Sequence, residues 1–305
     1  MYTTQSEELF RIGLKHLIVG QVENQPDPSY AKIISEMMET KEAVTTRSVR
    51  QGFGLHQFRP VGVAAPTQTE QLKVKQMRPR RYALGYDNPS NLIERDPNKL
   101  ASQQGPLLRK SANDTMNFLA QTAFLQMVAG AATPITSAFD GLPIFSNAHI
   151  AGPITQSNLL TVAMDAAGLI TMMETLAAQA TTEGNPTEIF DQYDLLVPSS
   201  AYMRAEVLVS SELRAGTQNN DKNLLKGVIK VCPMEWWSLA GAGVASDFAL
   251  QPSNAKDRPM FGIMTQQINV ETEKSARMGM TSTFSTFEVV FEAMSHLGAI
   301  YSNAA

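Results

Sequence analysis

The chain has 305 residues, of which 43% are hydrophobic and 18% charged, with a formal net charge of −4. This length allows one large domain or two with an ample core, and the composition excludes a disordered chain. No window approaches about 18 uninterrupted apolar residues, the N-terminus lacks an export signal, and Cys232 has no second cysteine to pair with, so we expect a chain kept in a reducing cytoplasm.

The first 40 residues predict an arm rather than part of a core. Residues 4–19 place five large apolar side chains at helical spacing, with Gly20 as a stop; they are Leu9, Phe10, Leu14, Leu17 and Ile18. Residues 30–38 predict a second short helix. The amphipathic helix has no companion in the loop-like stretch that follows, so we expect it to lie on something else.

Residues 51–85 predict a long β-hairpin with a polar tip at residues 66–71. Apolar and polar residues alternate over 71–76, and glycine and proline residues, which favour turns, occur through the remainder of 51–85. Because an isolated hairpin is marginally stable in water, this one needs partners elsewhere.

The hairpin region is also basic. Residues 41–81 hold nine basic side chains against two acidic ones, a balance of +7 that leaves −11 for the rest of the chain. A basic arm on an acidic body indicates contact between parts of one molecule or between copies. Nucleic-acid binding is the alternative, although the stretch has few aromatics and no recognisable binding motif.

Residues 105–130 predict a long helix that forms the spine of the fold. Pro106 suits a first helical position and Gly130 a stop just past the end. Apolar residues recur at three- and four-residue steps and form one wide stripe; they are Leu108, Ala112, Met116, Leu119, Ala120, Ala123, Phe124, Met127 and Val128. Periodicity alone also fits a core helix of an ordinary soluble domain.

The remaining elements mix helices and strands without the regular alternation of a doubly wound sheet, which predicts an α+β fold. Asp140-Gly141 and Pro143 predict turns. A helix is predicted over 162–180, and a strand ending at Pro198 is followed by a helix capped by Ser199 or Ser200. Further strands are predicted over 224–231, 235–239, 261–268, 285–292 and 298–301.

The sequence offers no catalytic constellation. The four histidines are scattered, and the usual zinc, phosphate-loop, dinucleotide and nucleophile-elbow motifs are missing. We therefore predict no enzymatic activity, cofactor or metal. Asp140 and His149, which share one loop, are the candidates for a ligand pair or an acid–base pair. Cys232 suits a buried small hydrophobe better than a nucleophile.

Five short pieces occur in an order that resembles a known family. They are DGLPIFSNAH at 140–149, TQSN at 155–158, DLLVPSS at 194–200, NLLKGVIKVCP at 223–233 and the tryptophan pair at 236–237. The set resembles the major capsid proteins of tailed bacteriophages with the Hong Kong 97 fold, in particular the Mu-like head proteins. The resemblance covers about residues 100–300, and the order of the pieces carries it.

The resemblance implies a Hong Kong 97-type α+β fold in four parts. These are an N-terminal arm (1–50), an extended β-hairpin loop (51–85), a peripheral domain (86–160 and 261–305, with the spine helix 105–130) and an axial domain (161–260). It also implies inter-subunit contacts from the extended loop, at Arg59, Lys73, Lys75, Arg78, Arg80 and Arg81. Some family members cross-link through a loop lysine, but no matching asparagine and activating acid are identified here.

The implied function is that of a structural major capsid protein. Hexamers and pentamers would form an icosahedral head around double-stranded DNA, within a virion assembled in the host bacterial cytoplasm without a membrane. The implied partners are other copies, a separate scaffolding protein, a portal, a decoration protein and DNA contacted without sequence specificity. The alternatives are an encapsulin-like nanocompartment shell and a soluble enzyme of unknown type, the latter supported by the Asp140 and His149 loop alone.

Overall fold

The computed structural model describes residues 28–50, 72–89, 97–128, 136–151, 154–181, 184–187, 190–212, 222–237, 246–275 and 280–303. The described helices are α1 (Pro97–Gln126), α2 (Ala166–Ala177) and α3 (Tyr202–Ser210). The described strands are β1 (Ile34–Glu39), β2 (Thr45–Arg50), β3 (Leu72–Met77), β4 (Arg80–Pro89), β5 (His149–Ala151), β6 (Ile154–Gln156), β7 (Leu159–Leu160), β8 (Tyr193–Pro198), β9 (Ile229–Met234), β10 (Phe248–Pro252), β11 (Met260–Ser275), β12 (Met280–Ala293) and β13 (Ile300–Ser302). The predicted helix over residues 4–19 lies outside these ranges.

The spine helix α1 is longer than predicted and begins earlier. Pro97 is its first residue, so the preference of proline for a first helical position applies there, and Pro106 lies inside the helix. The predicted apolar stripe is confirmed, because Leu108, Met116 and Phe124 are all buried. Among the described helices, none is long and apolar enough to cross a membrane.

The first sheet has the strand order β1-β11-β12-β4 and packs against α1. The strands predicted over 261–268 and 285–292 are confirmed as parts of β11 and β12, which extend further. The helix predicted over 30–38 is wrong, since a 3-10 turn at Ser29–Lys32 is followed by strand β1. Parallel pairing of β1 with β11 satisfies its backbone groups and overrides the local helical pattern.

The second sheet has the strand order β7-β13-β10-β8-β9. One face packs against α2 and α3, where Leu169, Ala205 and Leu250 are buried. The predicted helix over 162–180 and the strand ending at Pro198 are confirmed, and Asp165 caps α2 by accepting a bond from the Gly168 N–H at 2.7 Å.

Three predictions for the second sheet need correction. Ser199 does not cap a helix, because its hydroxyl donates to the Met234 carbonyl at 3.2 Å. The strand predicted over 224–231 begins later, at Ile229, and continues through Pro233 to Met234. Residues 235–237 of the strand predicted over 235–239 form a turn, since the backbone N–H of Trp236 is taken by Gln121 Oε1 at 2.8 Å.

An aromatic cluster joins the two sheets at the end of α1. Phe124 contacts Phe145 and Trp237 with ring centroids 5.1 and 5.8 Å apart, and Tyr301 of the second sheet stacks on Trp237 at 6.1 Å. The Tyr301 hydroxyl donates to Asp247 at 2.8 Å. Burial is the main cause that raises the pKa of Tyr301, with that hydrogen bond and the Asp247 charge acting in the same direction.

Among the described residues, three stretches link α1 and the first sheet to the second sheet. Residues 136–151 and 154–158 lie between α1 and β7, residues 253–259 lead from β10 to β11, and residues 294–299 lead from β12 to β13. The second stretch holds Arg258, whose guanidinium donates to Asp194 at 3.0 Å and to the carbonyls of Ala31 and Ser253 at 2.6 and 2.8 Å. Gly298 on the third stretch has φ +84°, and a Cβ there would lie 1.8 Å from the Asp257 carbonyl oxygen, so the two connections pack in direct contact.

We expect Arg258→Met to lower the free energy of unfolding by about 3–5 kcal/mol, because it leaves Asp194 buried without its cation. The matched control is Lys226→Met. Lys226 lies 3.1 Å from Glu212, but these side chains are 48% and 86% exposed, so its loss should cost less than about 1 kcal/mol. Urea unfolding of both variants measures the difference, and equal losses would contradict the role given to Arg258.

Candidate functional site

The base of the predicted hairpin lies on its own subunit. Strand β2 pairs with β3 from Thr45–Met77 at the base to Arg50–Leu72 at the far end, so the hairpin begins at residue 45 rather than 51, and its predicted tip lies outside the described residues. Met77 is fully buried and packs with Phe261 and Ile263 on the face of the first sheet opposite α1. Val74, further along, is 55% exposed.

Lys75 points inward rather than toward solvent. Its Nζ lies 3.4 Å from Glu292 Oε2 and donates to the carbonyls of Ser137 and Ala293 at 3.0 and 2.7 Å. The side chain is 12% exposed. Lys75 is therefore engaged within its own subunit, where its Nζ fastens β3 to the end of β12.

Lys75 and Glu292 lie next to each other although burial disfavours the charged form of each side chain. Burial lowers the pKa of Lys75, against the opposing effect of Glu292. Burial likewise raises the pKa of Glu292, although Lys75 and Arg80 act to lower it. Both shifts have the same physical sense: desolvation disfavours the charged forms by more than the pair attraction favours them.

The other predicted contact residues are distributed differently. Arg78, Arg80 and Arg81 are exposed, at the turn after β3 and on β4. Strand β4 pairs with β12 along one side only in the described sheet, so its other edge carries backbone groups available to another chain. Lys73 lies on β3, and Arg59 lies outside the described residues.

A second candidate site is a buried cluster of Asp140, His149 and His296. His149 Nδ1 lies 2.6 Å from Asp140 Oδ2, and His296 Nδ1 lies 3.7 Å from the same oxygen. The two imidazole rings stack with centroids 4.3 Å apart and an interplanar angle of 11°. The structure thus brings together Asp140 and His149, as the sequence suggested, and adds His296 from the connection between β12 and β13.

Both ring nitrogens of His149 have a polar partner. Its Nε2 lies 2.7 Å from the Ile144 carbonyl oxygen, and its Nδ1 lies 2.6 Å from Asp140 Oδ2. Gln156 Nε2 donates to the Ala180 carbonyl, while its Oε1 accepts from the Ala180 N–H. That amide therefore donates to His296 Nε2 at 3.0 Å, which makes this nitrogen an acceptor.

The same cluster fastens two connections between the sheets. Asn158 Nδ2 donates to the carbonyls of Ile144 and His296 at 2.6 and 2.9 Å, and its Oδ1 accepts from the Ser146 N–H at 2.9 Å. Burial alone would raise the pKa of Asp140, but the hydrogen bonds from His149 and from the Leu142 N–H, together with the electrostatic effect of the two neighbouring imidazole rings, lower it.

The chemistry of this arrangement is that of hydrogen bonds that hold two loops together. The three side chains offer ligand atoms within 4.8 Å of one another, but two ligands of a common ion at bond lengths of about 2.1 Å usually lie 3 Å or more apart. The 2.6 Å contact between His149 and Asp140 is a direct hydrogen bond. His149 is fully buried, so the pair joins loops instead of facing an open cleft.

Sequence reasoning missed His296, Glu292 and Asp194. Each meets its partner across a long stretch of chain: His296 lies 140 positions from Gln156, and Arg258 lies 64 positions from Asp194. No local spacing indicates such pairs. The one available signal is that charged residues in apolar strands need partners when buried, which singles out Asp194 within its apolar strand β8.

Comparisons with known proteins identify the fold. No protein-family model and no curated protein matches the chain. Among solved structures, the capsid of cyanophage P-SCSP1u matches with a TM-score of 0.60 and 8% identity, covering 88% of this chain and 86% of that one. The capsid of a native GTA particle matches with a TM-score of 0.57 and 10% identity over 92% of both chains.

A third structure, the capsid of Myoviridae phage XM1, matches with a TM-score of 0.51 and 12% identity, covering 88% of this chain and 90% of that one. The chain therefore has the fold of tailed-phage capsid proteins, and the predicted Hong Kong 97-type α+β fold is confirmed. At these identities the likeness concerns the fold alone.

We expect Lys75→Met to destabilise the chain by about 3 kcal/mol or more, because it leaves Glu292 buried and unpaired. The double variant Lys75→Met/Glu292→Leu should recover most of this loss, since both pKa shifts indicate that burial costs the charged pair more than it gains. Urea unfolding of the single and double variants measures the coupling. Lys41→Met, at an exposed position, is the control, and additive losses would contradict the pairing.

Asp140→Asn should lower the free energy of unfolding by about 1–3 kcal/mol at pH 7. The fold lowers the pKa of Asp140, so its ionised form stabilises the protein above the unfolded-state pKa of about 4, and this contribution is lost as pH falls through the lower folded-state value. The deficit should therefore shrink at acidic pH. Urea unfolding at two pH values tests this prediction.

The control is Asp165→Asn, because asparagine caps a helix as well as aspartate does and the α2 cap should survive. A deficit for Asp140→Asn that is equal at neutral and acidic pH would show that the carboxylate charge is not what the cluster uses.

Proposed function

We propose that this chain is the major capsid protein of a tailed bacteriophage, of the Mu-like kind, which self-assembles as hexamers and pentamers into an icosahedral head around double-stranded DNA. The observation that carries the proposal is the match to phage capsid chains over about nine-tenths of both lengths. The Mu-like assignment rests on the ordered sequence pieces from 140 to 237.

The distribution of exposed groups supports a role in assembly. The hairpin is fixed at its base by Met77 and Lys75, while Val74 on β3 and the basic residues after the hairpin, Arg78, Arg80 and Arg81, face solvent. A loop fixed at its base can contact a neighbouring copy without changing the fold of its own subunit. Such head-to-tail contacts between different surfaces close into rings.

We assign the parts of the chain accordingly. The N-terminal arm, predicted over residues 1–50, ends at residue 44 in this assignment, with β1 added to the first sheet. The extended loop, predicted over 51–85, is the β2–β3 hairpin, residues 45–77. The first sheet and α1 form the peripheral domain. The second sheet with α2 and α3 forms the axial domain, whose far end meets other copies at the five- and six-fold axes.

The implied partners follow from the same role. They are other copies of the chain, a separate scaffolding protein, a portal and DNA bound without sequence specificity. A decoration protein belongs to the proposal as well; the capsid of bacteriophage JBD30, which has the same fold, is decorated with minor capsid protein trimers. The protein would act in the virion after assembly in the host bacterial cytoplasm, as a structural component without enzymatic activity.

The test is assembly of a charge-reversal variant. We expect Arg78→Glu/Arg80→Glu/Arg81→Glu to leave the subunit folded but to reduce the yield of closed shells, since the reversed charges repel the acidic surface of a neighbour. The defect should be larger at low salt, because charges are screened over about 10 Å at 0.1 M. Electron microscopy of the protein, expressed with its neighbouring genes, counts shells, tubes and rings.

The matched control replaces three exposed lysines elsewhere, Lys222, Lys230 and Lys256, by glutamate. Its net charge changes by the same amount as that of the arginine variant. A uniform monomer or dimer for the natural chain under every condition would overturn the proposed function. Normal shells from the arginine variant would overturn the assignment of these residues alone, and shells that enclose a protein instead of DNA would favour the nanocompartment.

A further inference from the structure

Strand β4 lies at the edge of the first sheet. It pairs with β12 in an unbroken register from Arg80 to Pro89 and, among the described residues, with no other strand. Its outer edge therefore presents a regular row of backbone N–H and C=O groups that point away from β12. A long, regular edge of this kind is a surface to which a strand of another chain can add.

The face of β4 that lies on the α1 side carries exposed apolar surface. Side chains alternate along a strand, so Tyr82, Leu84 and Tyr86 lie on one face. Tyr82 stacks on Phe287 of β12 with ring centroids 5.5 Å apart and packs against the core that includes α1. Leu84 is 45% exposed, so a single subunit leaves the middle of this face partly open to solvent.

The opposite face of β4 carries two opposite charges. Arg81 and Asp87 are both exposed, and Asp87 accepts a hydrogen bond from the Ser282 hydroxyl of β12, which holds its carboxylate in place. Leu84 lies midway between the two charges along the strand. Two antiparallel copies of β4 with a two-fold axis at Leu84 therefore bring Arg81 of each copy opposite Asp87 of the other.

Backbone geometry restricts the registers that two copies of this edge can adopt. Outward-pointing backbone groups belong to alternate residues, and in an antiparallel pair such residues must oppose each other. For two identical edges the two-fold axis then passes through a residue and not between two residues. Axes through Ala83 or Gly85 place neither charge opposite the other. The axis through Leu84 pairs Arg81 with Asp87.

We propose that β4 of a second copy of this chain adds to the edge of β4, antiparallel and with the two-fold axis at Leu84. The two four-stranded sheets then join into one continuous sheet. Arg81 meets Asp87 twice on one face, while on the other face Leu84 meets Leu84 and Tyr82 meets Tyr86 twice. Opposite charges and aromatic side chains that lie directly opposite each other stabilise such a pair of strands.

The helices leave room for this contact. Helix α1 packs over β12 and β11, and in the joined sheet the two β12 strands are three strand spacings apart, or roughly 14 Å. Packed helices need only about 8–10 Å between their axes. The two copies of α1 therefore do not collide, and Leu84 with the two tyrosines of each copy lies between them. On the other face, the hairpin base packs on β11 and β12 and leaves Arg81 and Asp87 exposed.

The inference rests on the proposed function for its biological role, because it names a surface through which copies meet in a shell. The same patch is used on both copies, so the contact is isologous: it joins two subunits and does not close a ring. It would link copies in addition to the head-to-tail contacts of the hairpin.

The experiment is sedimentation equilibrium of unassembled full-length chains. We expect the natural chain to form dimers. Arg81→Glu and Asp87→Arg each place like charges opposite each other twice, so each variant alone should dimerise at least about tenfold more weakly. A heterodimer of the two variants has opposite charges at both contacts. An equimolar mixture should therefore dimerise within about threefold of the natural affinity.

Two further variants serve as controls. Arg81→Glu/Asp87→Arg, which exchanges the two charges within one chain, should dimerise about as well as the natural chain. Lys230→Glu, at an exposed position of β9 in the second sheet, changes the net charge as Arg81→Glu does and should leave dimerisation unchanged. Circular dichroism of every variant checks that the fold is kept.

Three results would overturn the proposal: a natural chain that stays monomeric at every concentration, single variants that dimerise as the natural chain does, or a mixture of folded variants that dimerises no better than either alone. None of these readouts requires shells. Dimers with the expected rescue but without shells under any condition would remove the proposed function and keep this contact. Shells of the natural chain without rescue in the mixture would remove this contact alone.

Discussion

The two sheets are held in one arrangement by charges that have to be paired when they are buried. Arg258 and Asp194 form such a pair at the stretch between β10 and β11. Asp140, between α1 and β7, is held by its hydrogen bond with His149. A small displacement of one sheet would leave a charge without its partner in a medium of low polarity, which costs several kcal/mol. An apolar interface alone would tolerate sliding, whereas these pairs select a single position.

The spine helix contributes both apolar and polar contacts to the centre of the molecule. Its buried stripe ends in the aromatic cluster of Phe124, Trp237 and Tyr301, where both sheets meet. Gln121, one turn earlier and also buried, donates to the Ser29 hydroxyl and accepts from the Trp236 N–H. One end of the helix therefore holds the start of the described chain and the turn at Trp236 beside the core.

The sequence predicts best what depends on a continuous local pattern. The apolar stripe of α1, the helix predicted over 162–180 and the strands predicted over 261–268 and 285–292 depend on such patterns, and the structure confirms them. Residues 30–38 and the turn at Trp236 were predicted wrongly, because pairing with β11 and the bond to Gln121 determine their backbone. The Asp140–His149 pair could be foreseen within one loop, whereas its partners His296 and Asn158 could not.

The basic hairpin shows why charge counts alone do not locate an interface. Lys75 and Arg78 are three residues apart and equally basic, yet Lys75 is buried against Glu292 and Arg78 is exposed. Which face of a strand turns inward depends on its register with a partner, here Arg47 opposite Lys75 and Thr45 opposite Met77. The burial of Met77 fixes that register, so one apolar residue determines which of the neighbouring cations remain available to another chain.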